Sequence, residues 1–192
     1  MPVACPEMML IRHAPSDHGG RLCGRTDVPA MISADALRPL QAMLASVPIR
    51  VVSPALRCRQ TAEALWPGDS DMIQDARLWE QDFGAQDGQP LCRLPELGQL
   101  SPEDLAAHCY PGGESFDDMA KRVTPALEHW AECARETGPV AIVAHAGTVR
   151  AALAHAMGNA GAALCFEIAP LSLTRIRCLN GGMSVICTNW TP

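Results

Sequence analysis

Two apolar runs in this chain stop on a histidine. Met8-Met9-Leu10-Ile11 ends at Arg12-His13, and Val140-Ala141-Ile142-Val143-Ala144 ends at His145. If both runs are buried strands of an open α/β sheet, their carboxyl ends face the crevice in which such sheets bind ligands. After His145, Gly147-Thr148 opens a helix whose free N–H groups favour an anion. A third strand end, at Ser53-Pro54, leads to Arg57 on the first turn of the next helix. Arg12, Arg57 and two imidazoles around a helix N-terminus would make a pocket for a dianion, and guanidinium matches phosphate oxygens bidentately. Each member alone has an ordinary reading. Polar residues end strands, and Arg57 resembles the solvated helix residue Arg59. The chemistry lies in their convergence, which spacing alone does not establish.

The elements that would position these groups follow from periodicity. Ser33 caps a helix over residues 33–46, with Leu37, Leu40, Met43, Leu44 and Val47 as its apolar face and Pro39 inside it. Residues 49–53 form a β-branched strand, and Pro54 opens a helix to about residue 66. Residues 74–99, with scattered Gly, Pro and charges, read as a long loop or lid. Ser115 and Asp118 have capping-box spacing ahead of Phe116, Met119, Val123, Leu127 and Trp130, a helix that Gly138-Pro139 ends and Pro125 bends. Residues 140–144 are a strand, followed by an Ala-rich helix to Met157. Residues 171–178 and 183–189 pair as a hairpin across Asn180-Gly181-Gly182. Three strands separated by helices, then a hairpin, give an α/β fold: a three-layer α/β/α sandwich with a mostly parallel central sheet. The free edge of the hairpin leaves a homodimer open.

Composition bounds the function classes. The 192 residues suit one domain over 1–192; 48% are hydrophobic and 19% charged, the balance of a compact fold. A net charge of −6 without a basic run argues against nucleic-acid or acidic-membrane partners. Nine cysteines, odd in number and without CxxC or Cys–His zinc spacing, read as thiols of a reducing compartment, hence a cytoplasmic setting. MPVACPE lacks the features of a signal peptide, and no apolar stretch reaches bilayer length. Residues 19–26 nearly spell a phosphate-binding P-loop, but four residues separate them from the first strand and Pro29 interrupts any following helix. No Cys-x5-Arg loop, GxSxG elbow or HExxH motif is present.

LIRHAPS, SPALRCRQTAE, LWEQDFGAQDGQ, PGGESFDDMAKRV and VAHAGTVRAAL resemble, in order and spacing, the signature of the histidine phosphatase superfamily, over most of the chain. The resemblance implies a phosphoglycerate mutase-like fold and a metal-independent phosphomonoesterase that needs no cofactor and acts on a small phosphorylated metabolite. It implies that His13 is the nucleophile, forming a phosphohistidine, with its other ring nitrogen bonded to a backbone carbonyl. Arg12, Arg57 and His145 would hold the phosphoryl oxygens, and Glu80 would protonate the leaving alkoxide and then activate water. Asp82 competes for that last role. Ser16, Arg25 and Ala146 fall on the substrate side. GRTDVPA and PGGES look most like α-ribazole phosphatases of cobalamin synthesis. A mutase-like phosphotransferase is the alternative enzyme, although mutases of the group are longer. A phosphate-binding pseudo-phosphatase is the non-catalytic rival. Ala14 and Ala146 where relatives have Gly, and Gly19 where they have Asn, motivate that rival; Gln86-Asp87-Gly88 replaces a common Trp-Glu-Gly.

Overall fold

A computed structural model describes residues 5–191. The reading of residues 1–7 as lacking a leader therefore rests largely on residues outside those described. Six strands form one sheet in the order β3-β2-β4-β1-β5-β6. β1 (Glu7–Arg12), β2 (Ile49–Val52), β3 (Ile73–Gln74) and β4 (Val140–Ala144) run parallel, and β5 (Leu173–Leu179) and β6 (Gly182–Trp190) are antiparallel at one edge.

Alternation along the central strands divides the core in two. Met8, Leu10, Ile142 and Ala144 face one layer, made by α3 (Pro102–Ala107), α4 (Phe116–Thr137), α5 (Ala146–Met157) and α6 (Ala160–Leu164). Met9, Ile11, Ala141 and Val143 face the other, made by α1 (Ala34–Leu44) and α2 (Leu56–Leu65). Both faces of β1 and β4 are covered, so these strands read as unbroken apolar runs. The expected three-layer sandwich is the observed one. No helix among the described residues is long and apolar enough to cross a membrane.

Most local signals act as their chemistry dictates, although Ser33, at the N-cap of α1, makes no side-chain capping bond. Ser115 and Asp118 form a full capping box on α4, and Gly138, at φ 105°, ends it. α4 continues through Pro125 and α1 through Pro39, both exposed, where water can take the carbonyl that each proline leaves unbonded. Several boundaries differ from the expectation. α1 stops at Leu44 and leaves Met43 40% exposed, because its buried stripe is only Leu37, Leu40 and Leu44. α2 begins at Leu56, not Pro54, since its cap is remote: the Asp27 carboxylate accepts the Leu56 N–H at 2.7 Å. The hairpin runs 173–179 and 182–190, because Leu171 adopts a positive φ that excludes it from β5. Residues 74–99 are mostly irregular, but Gln74 completes the two-residue β3, and three short 3-10 turns follow at Ala76–Leu78, Gly84–Gln86 and Leu91–Arg93.

Candidate active site

Strand register brings the two histidines together. Arg12 pairs with Ala144 on the last rung between β1 and β4, and the His13 N–H donates to the Ala144 carbonyl at 2.9 Å. His13 and His145 are thus the next residues of adjacent parallel strands, with ring centroids 5.4 Å apart and planes at 68°. The Nδ1 of His13 lies 2.7 Å from the Ala14 carbonyl oxygen, which can only accept. Nδ1 therefore carries the proton, and Nε2 carries a lone pair. Burial pushes this imidazole down to about 3; the Ala14 bond opposes the shift, and Arg57 and Arg12 add to it. His145 is fully buried, with Nε2 2.8 Å from the Ser53 hydroxyl. Its pKa is lowered by burial first, then by Arg57, His13, Arg12 and Arg122.

Arg57 is a buried cation and Arg12 a half-buried one, both bonded to neutral groups. Arg57, 1% exposed, donates to the carbonyls of Gly24 (2.9 Å), Thr26 (3.3 Å) and Cys23 (3.4 Å). Arg12 donates from Nη1 to the Ile168 carbonyl at 2.6 Å, while its Nε is buried without a partner among the described residues. Burial lowers the Arg12 guanidinium, Glu80 opposes that, and Arg150 and Arg57 add to it. Neither arginine is within 4.0 Å of a carboxylate among the described residues. Two guanidinium charges without a counter-ion, near a helix N-terminus, create a demand that a bound oxyanion would meet.

Glu80 reaches that helix: its Oε2 accepts the Gly147 N–H at 3.3 Å, and Oε1 accepts the N–H of Gln81 at 3.1 Å. Asp82, its competitor, instead accepts the Gly84 N–H at 2.8 Å within its own turn. Arg25 sits 5.5 Å over the Trp79 ring, which stacks on His145 at 6.4 Å. Ser16 is half-buried in a bridge to Ala30, and Ala146 is the first residue of α5. Neither Ala14 nor Ala146 has a positive φ, so the methyl groups that replace the usual glycines strain no backbone. Gly19, at φ 56°, is exposed in the irregular segment between β1 and α1, where the near-P-loop residues open no helix. No three His, Cys, Asp or Glu side chains among the described residues cluster as metal ligands.

Sequence reasoning missed the groups that hold the catalytic candidates in place. The Thr61 hydroxyl accepts the Ala14 N–H at 2.9 Å and donates to the Arg57 carbonyl at 2.7 Å. Asp87 accepts the backbone N–H groups of Arg25 (2.7 Å) and Thr26 (2.8 Å) and the Thr26 hydroxyl, which fixes the loop that holds Arg57. Burial would raise the Asp87 carboxyl, but these donors outweigh it and hold it low. Ser53 at the end of its strand and the Gln86-Asp87-Gly88 replacement were the visible signals; the Asp87 contacts themselves span more than 60 residues, so neither partner can be read from local spacing.

A sequence profile described as the histidine phosphatase superfamily (branch 1) matches residues 8–191. Fructose-2,6-bisphosphatase TIGAR of Xenopus tropicalis is 28% identical over 82 residues, 40% of this chain and 30% of that protein, so the match spans under a third of its length. Among solved structures, the α-ribazole phosphatase of Shigella flexneri superposes with a TM-score of 0.81 at 18% identity over 96% of each chain. A mycobacterial glucosyl-3-phosphoglycerate phosphatase superposes with a TM-score of 0.81 at 21% identity, over 96% of this chain and 99% of its own. At such identities the likeness is one of fold.

Proposed function

The chain belongs to the histidine phosphatase superfamily, and from that premise we propose that it hydrolyses small phosphate monoesters through a phosphohistidine at His13. The observation that carries this reading is the 2.7 Å contact of His13 Nδ1 with the Ala14 carbonyl, which leaves a neutral ring with an Nε2 lone pair beside two unpaired arginines. In the first step the lone pair forms a P–N bond as the ester P–O bond breaks. Arg12, Arg57, His145 and the α5 N-terminus hold the phosphoryl oxygens through a transition state that asks mainly for positioning and charge. Glu80 gives its proton to the departing alkoxide. It then takes a proton from water, whose oxygen attacks phosphorus as the P–N bond breaks, releasing inorganic phosphate and restoring the ring.

α-Ribazole 5′-phosphate is the first substrate to try, supported by GRTDVPA, PGGES and a fold shared with a phosphatase of that compound. Nine free cysteines support a reducing, cytoplasmic setting. The outer strand β6, uncharged from Gly182 to Trp190, supports pairing of two 20.5 kDa copies along that edge.

The test is turnover of p-nitrophenyl phosphate in EDTA, with acid-quenched protein assayed for acid-labile phosphate. Activity and label that both disappear in His13→Ala are the expected result. Phosphate binding without turnover across α-ribazole 5′-phosphate, sugar phosphates and phosphoglycerates would overturn the enzyme reading, and isomerisation of 3-phosphoglycerate would favour a mutase.

A further inference from the structure

Glu80 is the one proposed catalytic group that lies neither in nor directly beside a strand of the sheet or an α-helix. It lies between two short 3-10 turns, without a strand ladder or helix of its own to fix it. Proton transfer needs a donor held within hydrogen-bond reach of the leaving oxygen, so something else must hold this segment. Two residues of PGGESFDDMAKRV, Glu114 and Arg122, bracket it from both sides.

Arg122 projects from α4, which is locked into the core by Met119 and Val123. Its Nη1 donates to the Arg77 carbonyl at 2.8 Å, and its Nη2 donates to the carbonyls of Trp79 (3.1 Å) and Glu80 (3.3 Å). The same guanidinium grips Glu114 bidentately, Nε to Oε2 at 3.0 Å and Nη2 to Oε1 at 2.6 Å. Glu114 then holds the far side of Glu80. Its Oε1 accepts the Asp82 N–H at 3.1 Å, its own N–H donates to the Asp82 carbonyl at 2.9 Å, and its carbonyl accepts the Gln81 side-chain amide at 2.9 Å. The pair thus meets residues 77, 79, 80, 81 and 82, almost wholly through backbone atoms.

An ordinary surface ion pair is worth little and would not seek five backbone groups, on four residues, around one carboxylate. Here the partners are only 25% and 17% exposed, and most of the bonds go to the segment rather than to each other. We propose that Glu114 and Arg122 are positioning residues that hold Glu80 in register for proton transfer to the leaving group. The inference rests on the phosphatase reading above and adds to it a device that holds Glu80, read out here through the acid step that kcat/KM reports. Lysine would keep the charge at position 122 but has no fork to span three carbonyls and a carboxylate.

The test compares kcat/KM for an alkyl phosphate, whose leaving alkoxide needs a proton, with that for p-nitrophenyl phosphate, whose leaving group needs none. Arg122→Gln is expected to cost about 10²-fold on the alkyl ester, the scale of a small misplacement of a catalytic group, and about threefold or less on the aryl ester. The aryl rate in the same preparation reports folding. Arg122→Lys should match Arg122→Gln. Glu114→Gln, which replaces one carboxylate acceptor by an N–H donor and so breaks either the two-point grip on Arg122 or the bond from the Asp82 N–H, provides a second variant should Arg122→Gln fail to fold. In a Glu80→Gln background, Arg122→Gln should cost the alkyl ester nothing more. A parallel fall on both esters, an undiminished effect in that background, or full activity of Arg122→Lys would overturn the positioning role. Absence of turnover and of phosphohistidine in the unmodified protein would instead overturn the phosphatase reading, and this inference with it.

Discussion

Gly147 shows how closely single residues are fitted around the site. A Cβ at this position would run into the Glu80 carboxylate and the end of the Met119 side chain. Its φ is not in the positive range, so glycine is needed for space rather than for backbone freedom. Met119 is flexible and can yield, whereas the carboxylate must leave the α5 N-terminus. Alanine is the better helix former by about 1 kcal/mol, which offsets part of the collision. Gly147→Ala should therefore lose roughly 10- to 100-fold in kcat/KM on alkyl phosphates through a misplaced acid, while thermal stability changes little. A variant with unchanged kcat/KM would show that Glu80 does not depend on this contact.

At the scale of elements, the proposed phosphate pocket has a helix N-terminus and two strand ends behind it, and loops in front. Asp87 buckles the front to the side by bonding Arg25 and Thr26, whose neighbouring carbonyls hold Arg57. Asp87→Ala removes those charge-assisted bonds from a partly solvated site, a loss of about 1–2 kcal/mol. That corresponds to a melting temperature lower by roughly 3–6 °C, with kcat/KM reduced about tenfold as Arg57 loses its seat. Calorimetry alongside kinetics checks both; a drop in stability alone would separate the buckle from the pocket. This scale also marks what was legible. β1, β4 and α4 were readable because apolar runs and the Ser115–Asp118 spacing act over a few residues. α3 had a local signal, with Ser101 accepting the Asp104 N–H and Pro102 in first position, but six residues are too few for a period. β3, at two residues, and α6, at five, lie below that limit too. His13, His145, Arg12 and Arg57 were visible as strand ends and a first helical turn, whereas Thr61, Trp79 and Asp87 act across separations that only the folded chain closes.

For the whole molecule, two buried neutral imidazoles make folding sensitive to acid. In the unfolded chain each histidine binds a proton near pH 6.5, whereas folded His13 resists until about 3 and His145 is shifted in the same direction. Between those limits the unfolded state binds more protons, so stability falls as pH falls, by up to about 1.4 kcal/mol per pH unit for each ring. The lowered carboxyls of Asp75 and Asp87 contribute stability that is lost only as pH falls further, through and below the ordinary carboxylate range. Urea midpoints measured from pH 6.5 to 4.5 should therefore decline, and His13→Asn should decline less steeply by close to one proton. Equal slopes would mean that the ring is protonated in the folded state. The pairing of Arg12 with Ala144 also carries an evolutionary constraint. Because side chains alternate between the two faces of a sheet, adding or deleting a single codon within either strand would turn one imidazole toward the opposite helical layer. No such alternation restricts the loops around the mouth, whereas the two short strands must keep step with each other for both rings to meet.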